Sequence, residues 1–234
     1  MKPHLLALAG LIAVSTLQAQ PAATATAEAD TPSRAEQAVF NDPVLSAITP
    51  PFDLHYRFQR SVSDATLPPA FEDMVLLELR RGPDGNCCAV RGSFLSGAQT
   101  LKLPDIDDAR VNPVTLFFLE REVRELARQT GGQAAHFRKR IRLALVDGAR
   151  VRGIRVSYDG RELDATEISI APFADDPQRS RYPLLATLQY RFIVAPDVPG
   201  GVFELRALVP GADAQATPRA ADVLRLVPSP VPAR

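Results

Sequence analysis

The sequence has few of the residues and motifs that usually carry chemistry. Its 234 residues include three histidines and two cysteines, and no H-E-x-x-H zinc motif or phosphate-binding glycine loop occurs. The segment Gly92–Ser96 lacks the closing glycine of a G-x-S-x-G nucleophile elbow. These absences exclude the motif-defined hydrolases and nucleotide-binding enzymes. We therefore predict neither a cofactor nor a metal site.

An excess of one charge and a long internal hydrophobic run are also absent. The 27 basic residues balance the 27 acidic ones, for a formal net charge of 0, so nothing indicates binding to nucleic acid or to an anionic membrane surface. After residue 17, no apolar stretch approaches the roughly 20 residues that a membrane helix needs. We expect a soluble protein without a membrane span.

The amino terminus has the layout of a secretory signal peptide. Lys2 and His4 form a short basic start, and Leu5–Leu17 is an uncharged apolar run too short to span a bilayer. We predict a signal peptide over residues 1–19, with Ala25 as the second choice of cleavage point and an uncleaved anchor as the alternative. Its start and alanine-rich flank resemble bacterial leaders. No cysteine lies directly after the run, so we expect no lipid attachment, and a periplasmic or secreted location.

The rest of the chain divides into a tether, one folded domain and a tail. Residues 20–38 carry no periodic apolar pattern and predict a flexible tether, and the proline-rich residues 228–234 predict a disordered tail. We assign residues 39–227 to a single domain. A subdivision near residue 150 is the alternative.

Alternation of apolar and polar residues is the main pattern of this domain. It is clearest in Phe52–Phe58 and Leu188–Val194, and Asp159-Gly160 is a strong hairpin turn between two further strands. Because the links between strands are short, the pattern predicts about 7–8 strands in a mainly antiparallel, curved sheet.

The apolar spacing becomes helical in the middle of the domain. Asn112 is a suitable N-cap, and the glycine pair 131–132 separates a first helix from a second over about 133–146. The predicted apolar stripe of the first helix is Leu116, Leu119, Val123 and Leu126. The predicted fold class is α+β, with this central helical hairpin packed on the sheet. The alternative places a separate small β-sandwich from about residue 150 onward.

The two cysteines, Cys87 and Cys88, are adjacent. In a regular strand they would point to opposite faces, so a disulfide between them requires an irregular backbone. Three interpretations stay open: two independently buried thiols, a vicinal disulfide at a turn, or a redox, metal or intermolecular role. A metal role has the least support, because no nearby histidine or second cysteine pair completes a site.

The histidines and acidic groups do not define a site by themselves. We place His55 on the polar face of the first strand and His136 on the second helix, and interpret both as surface or packing residues. Catalysis by either would need a carboxylate and a nucleophile nearby in space. We interpret one group of acidic residues, Asp105, Asp107 and Asp108, as part of a solvated loop. We interpret a second group, Asp175 with Asp176, as part of a turn.

Arginines concentrate on the second predicted helix. Arg138 and Arg142 lie four residues apart, on one side of the helix, and guanidinium groups suit anionic ligands. We predict a speculative anion site at these two residues. The alternative is a solvated ion-pair network with the acidic residues of the first helix, which are Glu120, Glu122 and Glu125.

These observations favour an exported bacterial protein that acts as a non-catalytic periplasmic binding or accessory module. Its partner would be another protein or a small apolar or anionic ligand in the cell envelope, held by the curved sheet and its helices. The alternative is a hydrolase whose site is assembled from dispersed residues. That hypothesis predicts His55 or His136 in a cleft beside a carboxylate.

Overall fold

The structure, a computed structural model, describes residues 32–213 and 215–229. The predicted signal peptide over 1–19, most of the predicted tether and most of the predicted tail lie outside these residues. Among the described residues, no helix is both long and apolar enough to cross a membrane.

Eight strands form one antiparallel sheet in the order β3-β2-β1-β8-β7-β6-β5-β4. The strands are β1 Phe52–Val62, β2 Phe71–Arg81, β3 Cys87–Phe94, β4 Arg150–Tyr158, β5 Arg161–Ile170, β6 Gln189–Val194, β7 Val202–Val209 and β8 Ala220–Val227. Three α-helices accompany them: α1 Arg34–Glu36, α2 Val114–Thr130 and α3 Ala134–Asp147. The predicted fold class, an α+β fold with a helical hairpin on a curved antiparallel sheet, is confirmed.

The last strand joins the two halves of the chain into this single sheet. β8 lies between β1 and β7, so strands from before and after the helical hairpin share one hydrogen-bonded ladder. Tyr56, for example, is opposite Val75 on one side and Leu226 on the other. The alternative of a separate β-sandwich from about residue 150 is therefore wrong, because the carboxy-terminal strands continue the sheet rather than stacking on it.

Alternation along the strands defines a buried face. Leu54, Tyr56 and Phe58 on β1 are buried, and so are Leu224 and Leu226 on β8. Side chains that alternate along neighbouring antiparallel strands share one face of the sheet, and α2 and α3 pack against it through β7 and β5. The core is therefore the layer between this face and the hairpin.

Asn112 fixes the start of α2 to the sheet. Its Oδ1 accepts a hydrogen bond from the Val114 amide at 3.1 Å, while its Nδ2 donates to the Tyr56 hydroxyl and the Gly200 carbonyl, each at 2.9 Å. The N-cap is therefore Pro113 rather than the predicted Asn112, because α2 begins at Val114, but the Asn112 side chain still accepts the first amide of the helix. At the other end, Gly131 adopts a left-handed conformation with φ of 66°, as a helix-ending glycine does.

The described part of the predicted tether is folded. Ser33 and Glu36 form a reciprocal capping box at the start of α1, and Ser33 Oγ donates to the Leu145 carbonyl of α3 at 3.2 Å. Ala35 is buried, as is Val39 in the helical turn Gln37–Asn41 that follows. Residues 32–38 therefore belong to the fold, because their small apolar side chains pack beside α3.

The orientation of α2 agrees with the prediction only in part, because Leu119, Val123 and Leu126 are buried as expected but other positions differ. Leu116, expected in the core, is 53 % exposed, whereas Arg121 and Glu122, expected on the solvent face, are buried. The sheet-facing side of α2 instead follows the helical spacing Val114, Phe118, Arg121 and Glu122. The helix therefore directs part of its apolar stripe away from the sheet.

Candidate functional site

A depression of about 600 Å³ is bordered by both helices of the hairpin. We call it the amphipathic groove. Four parts of the chain line it: α1 with the turn after it, residues 101–104 after β3, helix α2 and helix α3. The lining residues are Glu36, Phe40, Leu101, Lys102, Leu103, Pro104, Leu116, Phe117, Leu119, Glu120, Val123, Arg124, Arg138, Ile141 and Arg142. The volume is within the range of typical small-molecule sites.

The floor of the groove is apolar because of the orientation of α2. Three of the four residues predicted to face the core, Leu116, Leu119 and Val123, line the groove together with Ile141 of α3. The opposite wall is held to the sheet by Leu101, whose amide donates to the Phe94 carbonyl at 2.9 Å. Of the four side chains of the floor only Leu116 is substantially exposed, so the accessible apolar surface that α2 contributes is centred on Leu116.

The rim of the groove carries an excess of positive charge. Four basic residues, Lys102, Arg124, Arg138 and Arg142, face two acidic ones, Glu36 and Glu120, which gives four minus two, or +2. Within the described part of the chain, neither Lys102 nor Arg142 has an ion-pair partner. These two cations are therefore available to an anionic group.

Glu120 neutralises part of this rim. It accepts hydrogen bonds from Arg124 Nε at 2.9 Å and from Arg138 Nη2 at 2.9 Å. Partial burial tends to raise the pKa of the Glu120 carboxyl, but the hydrogen bonds from the two guanidinium groups outweigh burial and hold the pKa below its usual range. Glu120 is therefore a fixed negative charge at the rim.

The structure places both residues of the predicted anion site, Arg138 and Arg142, on the groove. Of the acidic partners in the alternative hypothesis, only Glu120 contacts Arg138. Glu125 pairs with Arg128 of its own helix, and Glu122 faces the sheet. The solvated network thus forms in part, and anion binding by Arg142 remains a prediction.

A buried charge cluster between α2 and the sheet was not predicted. Arg121 Nη1 donates to Asp222 Oδ2 at 2.6 Å and also contacts Glu122, while Arg60 Nε lies 2.9 Å from Asp222 Oδ1. The Arg121 guanidinium also stacks over the Phe58 ring, 4.5 Å from its centroid. Helical periodicity gave no signal for this cluster, because it places Arg121 and Glu122 on the polar, solvent-facing side of α2.

Burial strongly affects the protonation of this cluster. Desolvation, followed by the charge of Asp222, raises the pKa of Glu122 from 4.5 to about 8. Burial also raises the pKa of the Tyr190 hydroxyl, with Glu122 and Asp222 adding to the effect. The cluster links α2 to β1 and β8. Its residues line neither the amphipathic groove nor the cavity at His136 that is described next.

A second polar cluster surrounds His136. His136 Nε2 lies 2.7 Å from Asp176 Oδ2, and the Tyr182 hydroxyl donates to the same oxygen at 2.7 Å. Asp176 is fully buried, which corrects its interpretation as a solvated turn residue, whereas Asp175 is exposed as expected. His55 is half-buried on β1 and has no carboxylate partner among residues 32–213 and 215–229.

His136 lines a separate cavity of about 370 Å³, which we call the turn cavity. Its lining residues belong to the α2–α3 turn, the start of α3 and the loop after β5: Thr130, Gly131, Gly132, Gln133, His136, Phe137, Gln178, Arg181 and Tyr182. The geometry that the hydrolase hypothesis requires of a histidine, a cleft beside a carboxylate, is thus present at His136.

The other sequence candidates lie away from both cavities. The sulfur atoms of Cys87 and Cys88 are in bonding contact, with Cys88 buried and Cys87 half-buried, and their oxidation state in solution stays a prediction. Asp105 and Asp107 are exposed and pair with Arg91 at 3.2 Å and 2.5 Å. No cluster of potential metal ligands occurs among the described residues.

Comparisons with known proteins provide no family for this chain. No family model and no curated protein matches it. Among solved structures, it is similar to the crystal structure of the Mycobacterium tuberculosis lipoprotein LppX, at 12 % identity and a TM-score of 0.34, with 85 % of this chain and 98 % of that chain covered. A likeness of this extent carries no functional conclusion, so function is inferred from this protein's own residues.

Proposed function

We propose that this protein is an exported, non-catalytic binding module whose amphipathic groove takes a ligand with an apolar body and an anionic head. The observation that supports it most directly is the accessible apolar floor beside a rim of net charge +2. An apolar chain would cover the floor, and a carboxylate or phosphate head would contact Lys102 or Arg142.

The exposure of Leu116 is the strongest single argument for an occupant. A leucine that is 53 % exposed and lines an apolar groove gains from being covered, since burial of each methylene is worth about 0.8 kcal/mol. Ordinary isolated surface leucines need no such explanation, but Leu116 is continuous with Leu119 and Val123.

Export supports the same proposal. The predicted signal peptide would deliver the protein to the periplasm or the exterior, where amphipathic molecules of the cell envelope are available. A protein partner is the alternative to a small ligand, and it would bind by strand addition at the edge strand β4.

Native mass spectrometry of the protein purified from the periplasm tests the proposal first. We expect additional mass that denaturation removes, of a size appropriate to an amphipathic lipid. The denatured mass also reports the cleavage site and whether two hydrogens are missing at Cys87 and Cys88. A chain that carries no extra mass, and that then fails to bind added dodecanoate, would contradict the proposal.

The anionic preference is tested by titration with dodecanoate and dodecanol. We expect the double variant Lys102→Glu/Arg142→Glu to lose most of the preference for dodecanoate while retaining dodecanol binding. A matched control, Lys139→Glu/Arg161→Glu, makes the same change in net charge at exposed residues outside the groove. An equal loss in both double variants would show that only overall charge matters.

A hydrolase is the second candidate, and the His136–Asp176 pair is the observation that favours it. The turn cavity, however, offers no serine or cysteine among its lining residues, and the Thr130 hydroxyl already donates to the Leu126 carbonyl at 2.7 Å. A His136-dependent ester hydrolysis would therefore use activated water. Turnover of model esters that His136→Asn abolishes would support this candidate over a pure binding module.

A further inference from the structure

The turn cavity is lined by His136, whose ring is oriented by the buried carboxylate of Asp176. Asp176 Oδ1 accepts the Gln178 amide at 2.8 Å, and Asp176 Oδ2 accepts Tyr182 and faces His136 Nε2. Burial opposes ionisation of Asp176, but these hydrogen bonds outweigh it and hold the pKa of that carboxyl below its usual range. An ionised Asp176 cannot donate, so Nε2 must carry the proton that joins the two side chains.

This arrangement fixes the tautomer of the neutral imidazole. With the proton on Nε2, the remaining nitrogen, Nδ1, is a hydrogen-bond acceptor. Nδ1 has no hydrogen-bond partner among the residues that the structure describes. His136 is a quarter exposed and lines the cavity, so a small molecule in the cavity can contact its ring.

The rest of the cavity offers donors. Arg181 lines it and has no ion-pair partner within residues 32–213 and 215–229, and the amide side chains of Gln133 and Gln178 lie beside it. The two nearby carboxylates already have partners, since Asp176 is hydrogen-bonded and Asp175 pairs with Arg140. The cavity therefore combines one cation and two amides with a single acceptor.

We infer that the turn cavity is a second ligand site, and that it binds a phosphate group that still carries a proton. The P–OH would donate to His136 Nδ1, while the charged oxygens would accept from Arg181 and the glutamine amides. The volume of about 370 Å³ accommodates inorganic hydrogenphosphate, which keeps this proton at pH 8, whereas a phosphate monoester, with a second pKa of about 6, has lost it. The site shares no lining residue with the amphipathic groove, so it is independent of the proposed function.

Inorganic phosphate and sulfate distinguish this proposal from general anion binding. At pH 8, where a histidine side chain is normally neutral, phosphate has a hydroxyl to donate and sulfate has none. We expect phosphate to shift the imidazole NMR signals of His136 in the purified protein at constant ionic strength, and sulfate to bind at least about tenfold more weakly. The His55 signals serve as an internal control and should not move.

Two variants complete the test. Arg181 is exposed, so Arg181→Gln should fold normally and weaken phosphate binding by about tenfold. Lys139→Gln removes an exposed cation of α3 outside the cavity and should leave binding unchanged. The proposal is overturned if phosphate leaves His136 unaffected, if sulfate binds as well as phosphate, or if the two variants behave alike.

Discussion

At a few positions the two sides of α2 have exchanged the roles that their sequence indicates, although Leu119, Val123 and Leu126 are buried as predicted. The side that faces the sheet contains the buried charges Arg121 and Glu122, whereas Leu116 on the groove side is 53 % exposed. Ion pairs that replace apolar packing in a core seldom add net stability, and an exposed leucine adds little. The exchange therefore teaches that α2 is not arranged for stability alone, and its accessible side is the one that we associate with ligand binding.

The largest effect should follow from disrupting the buried side. Arg121→Met leaves Glu122 and Asp222 buried without their shared guanidinium, so we expect a loss of about 3–5 kcal/mol in the free energy of unfolding. Urea denaturation measures this loss. Arg124→Met, which removes an exposed ion pair on the groove side, is the control and should cost under about 1 kcal/mol. Similar losses in the two variants would remove the distinction between the two sides.

The buried side should also make stability depend on pH. Glu122 has its pKa raised from 4.5 to about 8, so the native state retains a proton that the unfolded chain releases. The contribution of Glu122 is present below about pH 4.5 and is lost as the pH rises towards 8. We expect the free energy of unfolding of the wild type to fall by a few kcal/mol relative to Glu122→Gln across this window.

Both the wild type and Glu122→Gln must be measured, because other carboxyl groups change the free energy of unfolding with pH in the opposite direction. Hydrogen bonds from Arg128 and Gln129 outweigh partial burial and lower the pKa of Glu125 to about 2, so its stabilising contribution is lost only in acid. The difference between wild type and Glu122→Gln isolates the buried group. A difference that stays constant with pH would show that Glu122 is ionised in the native state throughout.

Much of the fold could be predicted from the sequence. The unexpected positions of Leu116, Arg121 and Glu122 on α2 explain why the candidate site could be predicted only in part. Alternation located strands such as Phe52–Val62, and glycines located the turn between the helices. Helical spacing also identified the stripe that contains Leu116, but spacing defines a face without saying what covers it. The capping box of Ser33 and Glu36 was a readable signal for α1 that composition obscured.

The polar sites depended on contacts that sequence spacing does not encode. Arg121 and Asp222 are 101 residues apart, and His136 and Asp176 are 40 apart. Arg138 and Arg142 could be identified because they lie on one helix, whereas the loop residues Lys102 and Leu103 of the same groove could not.

The smallest effect concerns the charge of the rim. Glu120→Gln removes the carboxylate that Arg124 and Arg138 share, which raises the net charge of the lining from +2 to +3. We expect dodecanoate to bind about two- to threefold more tightly at low salt, with little change at high salt. Isothermal titration calorimetry at two salt concentrations measures this change, and weaker binding would mean that Glu120 helps to hold the ligand.

The most direct test of the binding function compares two exposed leucines on neighbouring helices. Leu116 lies in the amphipathic groove, and Leu143, which is 40 % exposed on α3, lies outside it. Because both are exposed, Leu116→Asp and Leu143→Asp should each change the free energy of unfolding by no more than about 0.5 kcal/mol. Calorimetric titration with dodecanoate should then show about tenfold weaker binding for Leu116→Asp and unchanged binding for Leu143→Asp. Equal affinities for Leu116→Asp and the wild type would contradict the assignment of the groove as the binding site.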